Sequence, residues 1–275
     1  MARIDAHHHV WRIDRGDYHW IDPDSALYRD YTLDDLRPLL TDIVDGTILV
    51  QAAPTEAETR FLLDVAEESN GLVRGVVGWV DFTAPDAAAR VRALAKHRLL
   101  KGLRPMLQDI EDTYWLLSDA VRPALAAMIE TGLSLDALIQ PRHLAILPVL
   151  RVMHPGLQVV IDHGAKPPIA SKEMDPWDRD LERVAKETPY FCKVSGLPAE
   201  AGREWLMNDI RPWFEHIVKC FGADRVMWGS DWPVLEQHGA YVRWHTICER
   251  YLFMLDLEGR AKVMGGTAER FYRLD

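Results

Sequence analysis

Three consecutive histidines in Asp5-Ala6-His7-His8-His9 are the first residues of this chain able to do chemistry. Side chains alternate along an extended strand, so His7 and His9 share one face and His8 points the other way. Two imidazoles so placed can reach one cation or one substrate together, while His8 is expected to pack or hydrogen-bond behind the strand. A second signal is Val159-Val160-Ile161-Asp162-His163. His163 shares parity with Val159 and Ile161, which reads as apolar layers filling an interior with a polar group above them. The third is Met227-Trp228-Gly229-Ser230-Asp231-Trp232-Pro233. A carboxylate at the end of a buried run is costly without a partner, so Asp231 is either a site residue or the N-cap of the next segment.

Further polar residues stand near the ends of other apolar runs. Arg104 follows Leu100-Lys101-Gly102-Leu103 and can fork onto a carboxylate or carbonyl oxygen, a surface salt bridge being the plainer use. Lys193 and Ser195 share a face, and a buried ammonium there must find an anion or lose its proton. Gln51 and Asp136 are placed to hydrogen-bond a ligand or simply a neighbour. The segment 10–31 carries Trp11, Tyr18, His19 and Trp20. A loop of about twenty residues is uncommon in a compact domain, and its aromatics either close over a small ligand or pack on the rim.

These positions gain meaning from the elements that carry them. Strand-like runs fall at 4–9, 47–53, 73–81, 100–104, 133–139, 157–163, 190–196 and 225–231, separated by stretches of helical spacing at 56–69, 86–96, 119–130, 142–153, 176–186, 204–221 and 241–255. Pro123 within 119–130 is tolerated in a first helical turn or at a kink. Such alternation predicts one α/β domain over residues 1–275, a closed (β/α)8 barrel, whose usual length this chain matches. The rival, a doubly wound sheet, often has a glycine-rich phosphate turn where this first strand has histidines. Barrels keep their chemistry at the C-terminal ends of the strands, and closure would set Asp231 beside His7 and His9.

Composition excludes several other roles. Lysine plus arginine against aspartate plus glutamate is 32 − 42 = −10, with 48% hydrophobic and 27% charged residues. An acidic chain without a basic patch is not built for nucleic acid or anionic membranes. Cys192, Cys220 and Cys248 are odd in number and form no CxxC pair, which supports neither a disulfide framework nor a zinc knuckle. The chain starts without a signal-peptide pattern and has no run long enough for a membrane span, so a soluble cytoplasmic protein is expected.

Taken together, the motifs resemble the amidohydrolase superfamily, in its amidohydrolase-2-type branch of sugar-lactone hydrolases. The likeness rests on Asp5–Trp11, Gly102–Gln108, Asp162–Pro167, Cys192–Leu197 and Gly229–Pro233, in the expected order. It implies hydrolysis of the cyclic ester of a sugar acid, with Asp231 taking the proton from water. It also implies that His7, His9 and His163 bind a metal or polarise the substrate carbonyl, with Arg104 adding charge at the oxyanion. One divalent ion held by His7, His9, His163 and Asp231 would match zinc by ligand type, and a metal-free site is the alternative. The fifth strand has no histidine or lysine at its tip, which argues against two metals. Gln51, Asp136, Lys193, Trp11 and Trp232 are the expected contacts to the sugar lactone. A lactone isomerase, a metal-dependent decarboxylase and a non-catalytic sugar-acid binder are the competing readings; oligomeric state is left open.

Overall fold

The computed structural model describes residues 1–274. Its eight strands are β1 (Ile4–His8), β2 (Gly46–Val50), β3 (Val73–Gly78), β4 (Leu100–Leu103), β5 (Ser134–Ala137), β6 (Val159–Ile161), β7 (Phe191–Val194) and β8 (Val226–Trp228). Each pairs in parallel with the next, in the order β1 to β8. The seam between β8 and β1 is closed by the residues just after β8. Asp231 N–H donates to the His7 carbonyl at 2.8 Å, and His9 N–H donates to the Trp232 carbonyl at 2.7 Å. The architecture is the expected (β/α)8 barrel.

Helices occupy all seven expected stretches, and their boundaries have local causes. Glu56–Glu68 begins at Thr55, whose hydroxyl accepts the Glu58 N–H, and buries Leu62, Leu63 and Ala66 against the barrel. Arg122–Thr131 holds Pro123 in its first turn, where no N–H is needed, and stops at Gly132 with φ of 72°. The stretch 142–153 divides into a 3-10 turn, Pro141–Ile146, and a helix, Leu147–Met153, with Pro148 in the latter's first turn. The helices Leu33–Leu40 and Thr267–Tyr272 lie outside the expected stretches.

The barrel interior divides into an apolar floor and a charged layer above it. Ile4, Ile48, Val50, Val77, Val160 and Met227 pack together, and the helix Thr267–Tyr272 adds Ala268, Phe271 and Tyr272 to the same cluster. Val159 and Ile161 belong instead to the outer core between strands and helices. The parity expected for His163 is therefore reversed: Val160 and Asp162 face inward along β6. Above this floor Lys193 is fully buried, its Nζ 2.6 Å from Asp136 Oδ2 and 3.0 Å from Asp162 Oδ1. Tyr272 donates its hydroxyl to Asp136 Oδ2 at 2.5 Å, so the C-terminal helix joins the charged layer from beneath.

One ammonium thus serves two buried carboxylates. Removing a single partner from such a group leaves charge without compensation, at a cost of about 3–5 kcal/mol. Lys193→Met is expected to lower stability by about that amount in urea unfolding at neutral pH, and the deficit should shrink as the pH falls and the carboxylates protonate. A variant as stable as the native protein would show that the ammonium is dispensable.

Candidate active site

Three imidazoles and one carboxylate meet where the barrel seam closes. Asp231 Oδ1 lies 3.4 Å from His9 Nε2, 3.7 Å from His7 Nε2 and 3.9 Å from His163 Nε2. Each ring is held from its far side. His9 Nδ1–H donates to the Val50 carbonyl at 2.8 Å, and His163 Nδ1 is 2.9 Å from Ser195 Oγ. His7 Nδ1 faces Lys193 Nζ at 3.2 Å and Asp162 Oδ1 at 3.5 Å. Close packing at the seam needs Gly229, because a Cβ there would sit 2.7 Å from His7 Cβ.

Backbone geometry explains how two of these side chains reach the mouth. His163 has φ of 54° and Asp231 has φ of 60°, in the left-handed region that non-glycine residues seldom occupy. β6 stops at Ile161 and the chain turns, so His163 enters the mouth although strand parity alone would send it outward. Strain of this kind, over-determined by surrounding contacts, tends to cluster at working sites. In β1 the pairing register slips between Asp5 and His8. His7 and His9 nevertheless share the inner face, and His8 turns outward to place Nε2 2.9 Å from Thr47 Oγ1.

Burial sets the protonation states. It lowers the His163 pKa to about 4, with Lys166 and Arg104 adding to the effect against the opposing pull of Asp231. Burial also holds His7 well below its ordinary value. For Asp231 burial works upward, but the surrounding imidazoles, His163 foremost, prevail and hold the carboxyl well below the usual range. Asp162 is likewise held down, by Lys193 first and then His7 and Arg104, against the upward effect of burial. Near neutral pH the site therefore presents neutral His7 and His163 rings beside an ionised Asp231.

These groups border a cavity of about 250 Å³ lined by His9, Trp20, Arg104, Gln108, His163 and Asp231, among others. That is below the roughly 300–1,000 Å³ of drug-sized sites and suits one small ring. Arg104 Nη1 is 3.3 Å from His7 Nε2 and 3.4 Å from Asp162 Oδ2, while Nη2 donates to the Gln51 carbonyl. Its Nε is buried without a hydrogen-bond partner.

The donor set fits one divalent cation. His7, His9 and Asp231 offer ligand atoms within 4.8 Å of one another. Ligand atoms of a tetrahedral site with bonds of 2.0–2.2 Å lie about 3.3–3.6 Å apart, close to the spacings around Asp231 Oδ1. Hydrogen bonding at the far ring nitrogens is the usual outer support of metal-bound histidine. Among the described residues Asp231 has no lysine or arginine ion-pair partner, only these three histidines.

His7, His9, His163, Asp231 and Arg104 are thus brought together, and the other expected contacts are not. Asp136 and Lys193 lie fully buried in the charged layer beneath the cavity, where they hold His7 and Asp162 and do not reach a ligand. Gln51 is buried and donates its side-chain N–H to the Arg104 carbonyl at 2.7 Å, bracing the arginine. Trp11 is buried against Tyr18, Trp20 and Tyr31, and Trp232 against Tyr31, with its indole N–H on Glu236. Neither indole lines the cavity; Trp20, from the same opening loop, does. Gln108, Asp109 and Lys166 also line it and were not singled out, although Gln108 and Lys166 lie in the quoted motifs. Asp162 stood in a recognised motif, but the reversed parity of β6 concealed its inward direction. His143 lies in the 3-10 turn Pro141–Ile146, beyond the end of β5.

Known proteins share this arrangement of chain. The sequence matches the amidohydrolase family over residues 4–274. It is 41% identical to an L-fucono-1,5-lactonase of Burkholderia ambifaria, covering 99% of this chain and 96% of that protein. A second L-fucono-1,5-lactonase, from Burkholderia multivorans, is 34% identical over 99% of this chain and 96% of its own length. The crystal structure of a zinc-bound amidohydrolase from Burkholderia multivorans superposes with a TM-score of 0.91 at 33% identity, covering both chains completely. With near-complete coverage in sequence and in structure, the chain belongs to the amidohydrolase family.

Proposed function

We propose that the protein hydrolyses a sugar lactone, such as L-fucono-1,5-lactone, to the free acid. The carrying observation is the convergence of three histidine Nε2 atoms on Asp231 Oδ1, in a small cavity that Arg104 also lines. Relatives that are 41% and 34% identical and bear the name L-fucono-1,5-lactonase support the substrate class.

Opening a cyclic ester requires a nucleophilic water, a polarised carbonyl and a proton for the departing alkoxide. Asp231 accepts the proton from water as the new C–O bond forms, and returns it to the ring oxygen as the acyl C–O bond breaks. The Arg104 guanidinium, at the cavity wall, adds positive charge near the carbonyl oxygen, where negative charge develops. Gln51 and Asp162 fix that guanidinium, and Lys193 and Asp162 fix the His7 ring. A carboxylate held as far down as Asp231 is a weak base, so the water benefits from acidification. His7, His9 and Asp231, with His163 beside them, would hold a divalent ion such as zinc, which when bound lowers the pKa of water and polarises carbonyls.

Asp231→Asn and His163→Asn are each expected to lower lactone hydrolysis by about a hundredfold or more, measured with a pH indicator across a panel of aldonolactones. Near-native turnover in either variant would remove that residue from the mechanism, and proton NMR showing a second lactone in place of a ring-opened acid would replace hydrolysis by isomerisation. Elemental analysis of protein prepared without added zinc should find about one divalent ion per chain, with activity lost on chelation and restored by zinc. Full activity in metal-free protein would leave the histidines as hydrogen-bonding groups alone. Titration has a definite sign: in metal-free protein the His163 ring, followed by NMR, should stay neutral from pH 8 to 6 and gain a proton only on further acidification, near its pKa of about 4. A His163 titration near the ordinary histidine value of 6.5 would contradict its burial as a neutral ring.

A further inference from the structure

A second cavity, of about 440 Å³, lies beside the first at the same mouth of the barrel, and Trp20, Met106 and Asp109 line both. Its walls come from loops that follow β1, β2, β3 and β4, and the hydrolytic chemistry uses none of its remaining residues. The surface is aromatic: Trp20, Trp79, Phe82 and Trp115 line it, with Phe82 and Trp115 ring centroids 6.0 Å apart. Trp20 is held in place, half exposed, by its indole N–H on the Ala52 carbonyl at 2.7 Å. Trp79 is pinned through its backbone, whose N–H and carbonyl both bond Thr59 Oγ1.

Several polar groups of the wall are engaged elsewhere. Thr55 Oγ1 caps a helix by accepting the Glu58 N–H at 3.0 Å. Asp17 is paired with Arg15 at 2.6 Å, and Asp81 Oδ1 accepts from both the backbone and the hydroxyl of Thr83. Asp17, Asp81 and Asp109 disfavour an anion. The largely aromatic and apolar wall favours an uncharged aromatic ring, by apolar burial and edge or face packing.

We infer that this cavity is a subsite for an uncharged aryl substituent carried by a lactone whose ring occupies the smaller cavity. The inference rests on the lactonase reading for the ring and on the shared wall of Trp20, Met106 and Asp109 for the continuity of the two spaces. It extends the substrate class from simple aldonolactones to lactones with an apolar ring attached.

The test compares six-membered lactones bearing methyl or phenyl at each ring carbon in turn, with the native protein and Trp115→Ala. At one position or more, phenyl should raise kcat/KM about tenfold over methyl. Trp115→Ala should abolish that preference while leaving the methyl lactones within about twofold. Equal or slower phenyl substrates at every position, or a preference that survives Trp115→Ala, would overturn the subsite. Calorimetric binding of the matching phenyl and methyl lactams needs no turnover. A phenyl preference there, lost in Trp115→Ala, would uphold the subsite even if no lactone were hydrolysed, a result that would defeat the lactonase reading alone; equal lactam affinities would overturn the subsite whatever the hydrolysis assay shows.

Discussion

The barrel seam is the constraint on which the site depends. β1 and β8 close through hydrogen bonds made by His7, His9, Asp231 and Trp232 backbones, and the side chains of three of these residues are the chemical groups. Closing the sheet and assembling the site are one event. Asp5 strengthens the junction from outside the barrel, its Oδ1 taking the Ser230 N–H at 2.9 Å and its Oδ2 the Tyr241 hydroxyl at 2.9 Å. Gly229 permits the approach that a larger residue would block.

A second consequence concerns charge. An interior that buries Asp136, Asp162, Lys193 and Arg104 together would be prohibitive if each stood alone. Here Lys193 bridges the two carboxylates, Arg104 reaches Asp162, and Tyr272 and Ser134 complete the hydrogen bonding of Asp136. The result is a rigid layer between the apolar floor and the mouth, which fixes His7 and Arg104 at the reacting end. Among the described residues Asp231 has no lysine or arginine partner, so its charge sits where a polarised water and a carbonyl would meet.

Much of this was legible in the sequence because period and polarity coincide at strand ends. All eight strands follow from apolar runs that end in polar residues, and barrel closure sets Asp231 beside His7 and His9; that His163 joins them is what the resemblance to the amidohydrolase superfamily implied. What escaped has physical reasons. His163 was expected inside by alternation, yet it enters through a left-handed turn after a strand that ends early, so Asp162 was overlooked as the inward residue. Asp136 and Lys193 were expected to contact the sugar lactone, but depth along a strand is not written in its parity, and both lie in the buried charged layer and do not line the cavity. Trp11 and Trp232 are large amphipathic rings whose packing partners come from distant segments; a single sequence does not distinguish them from Trp20, which does face the cavity.

The central claim is that water attacks the lactone carbonyl at this cluster. Hydrolysis in water enriched in oxygen-18, followed by mass spectrometry of the product, tests it most directly. The account predicts a ring-opened acid with one heavy oxygen in its carboxylate and none in the released hydroxyl. Label in the hydroxyl, or an unlabelled isomeric lactone, would contradict it.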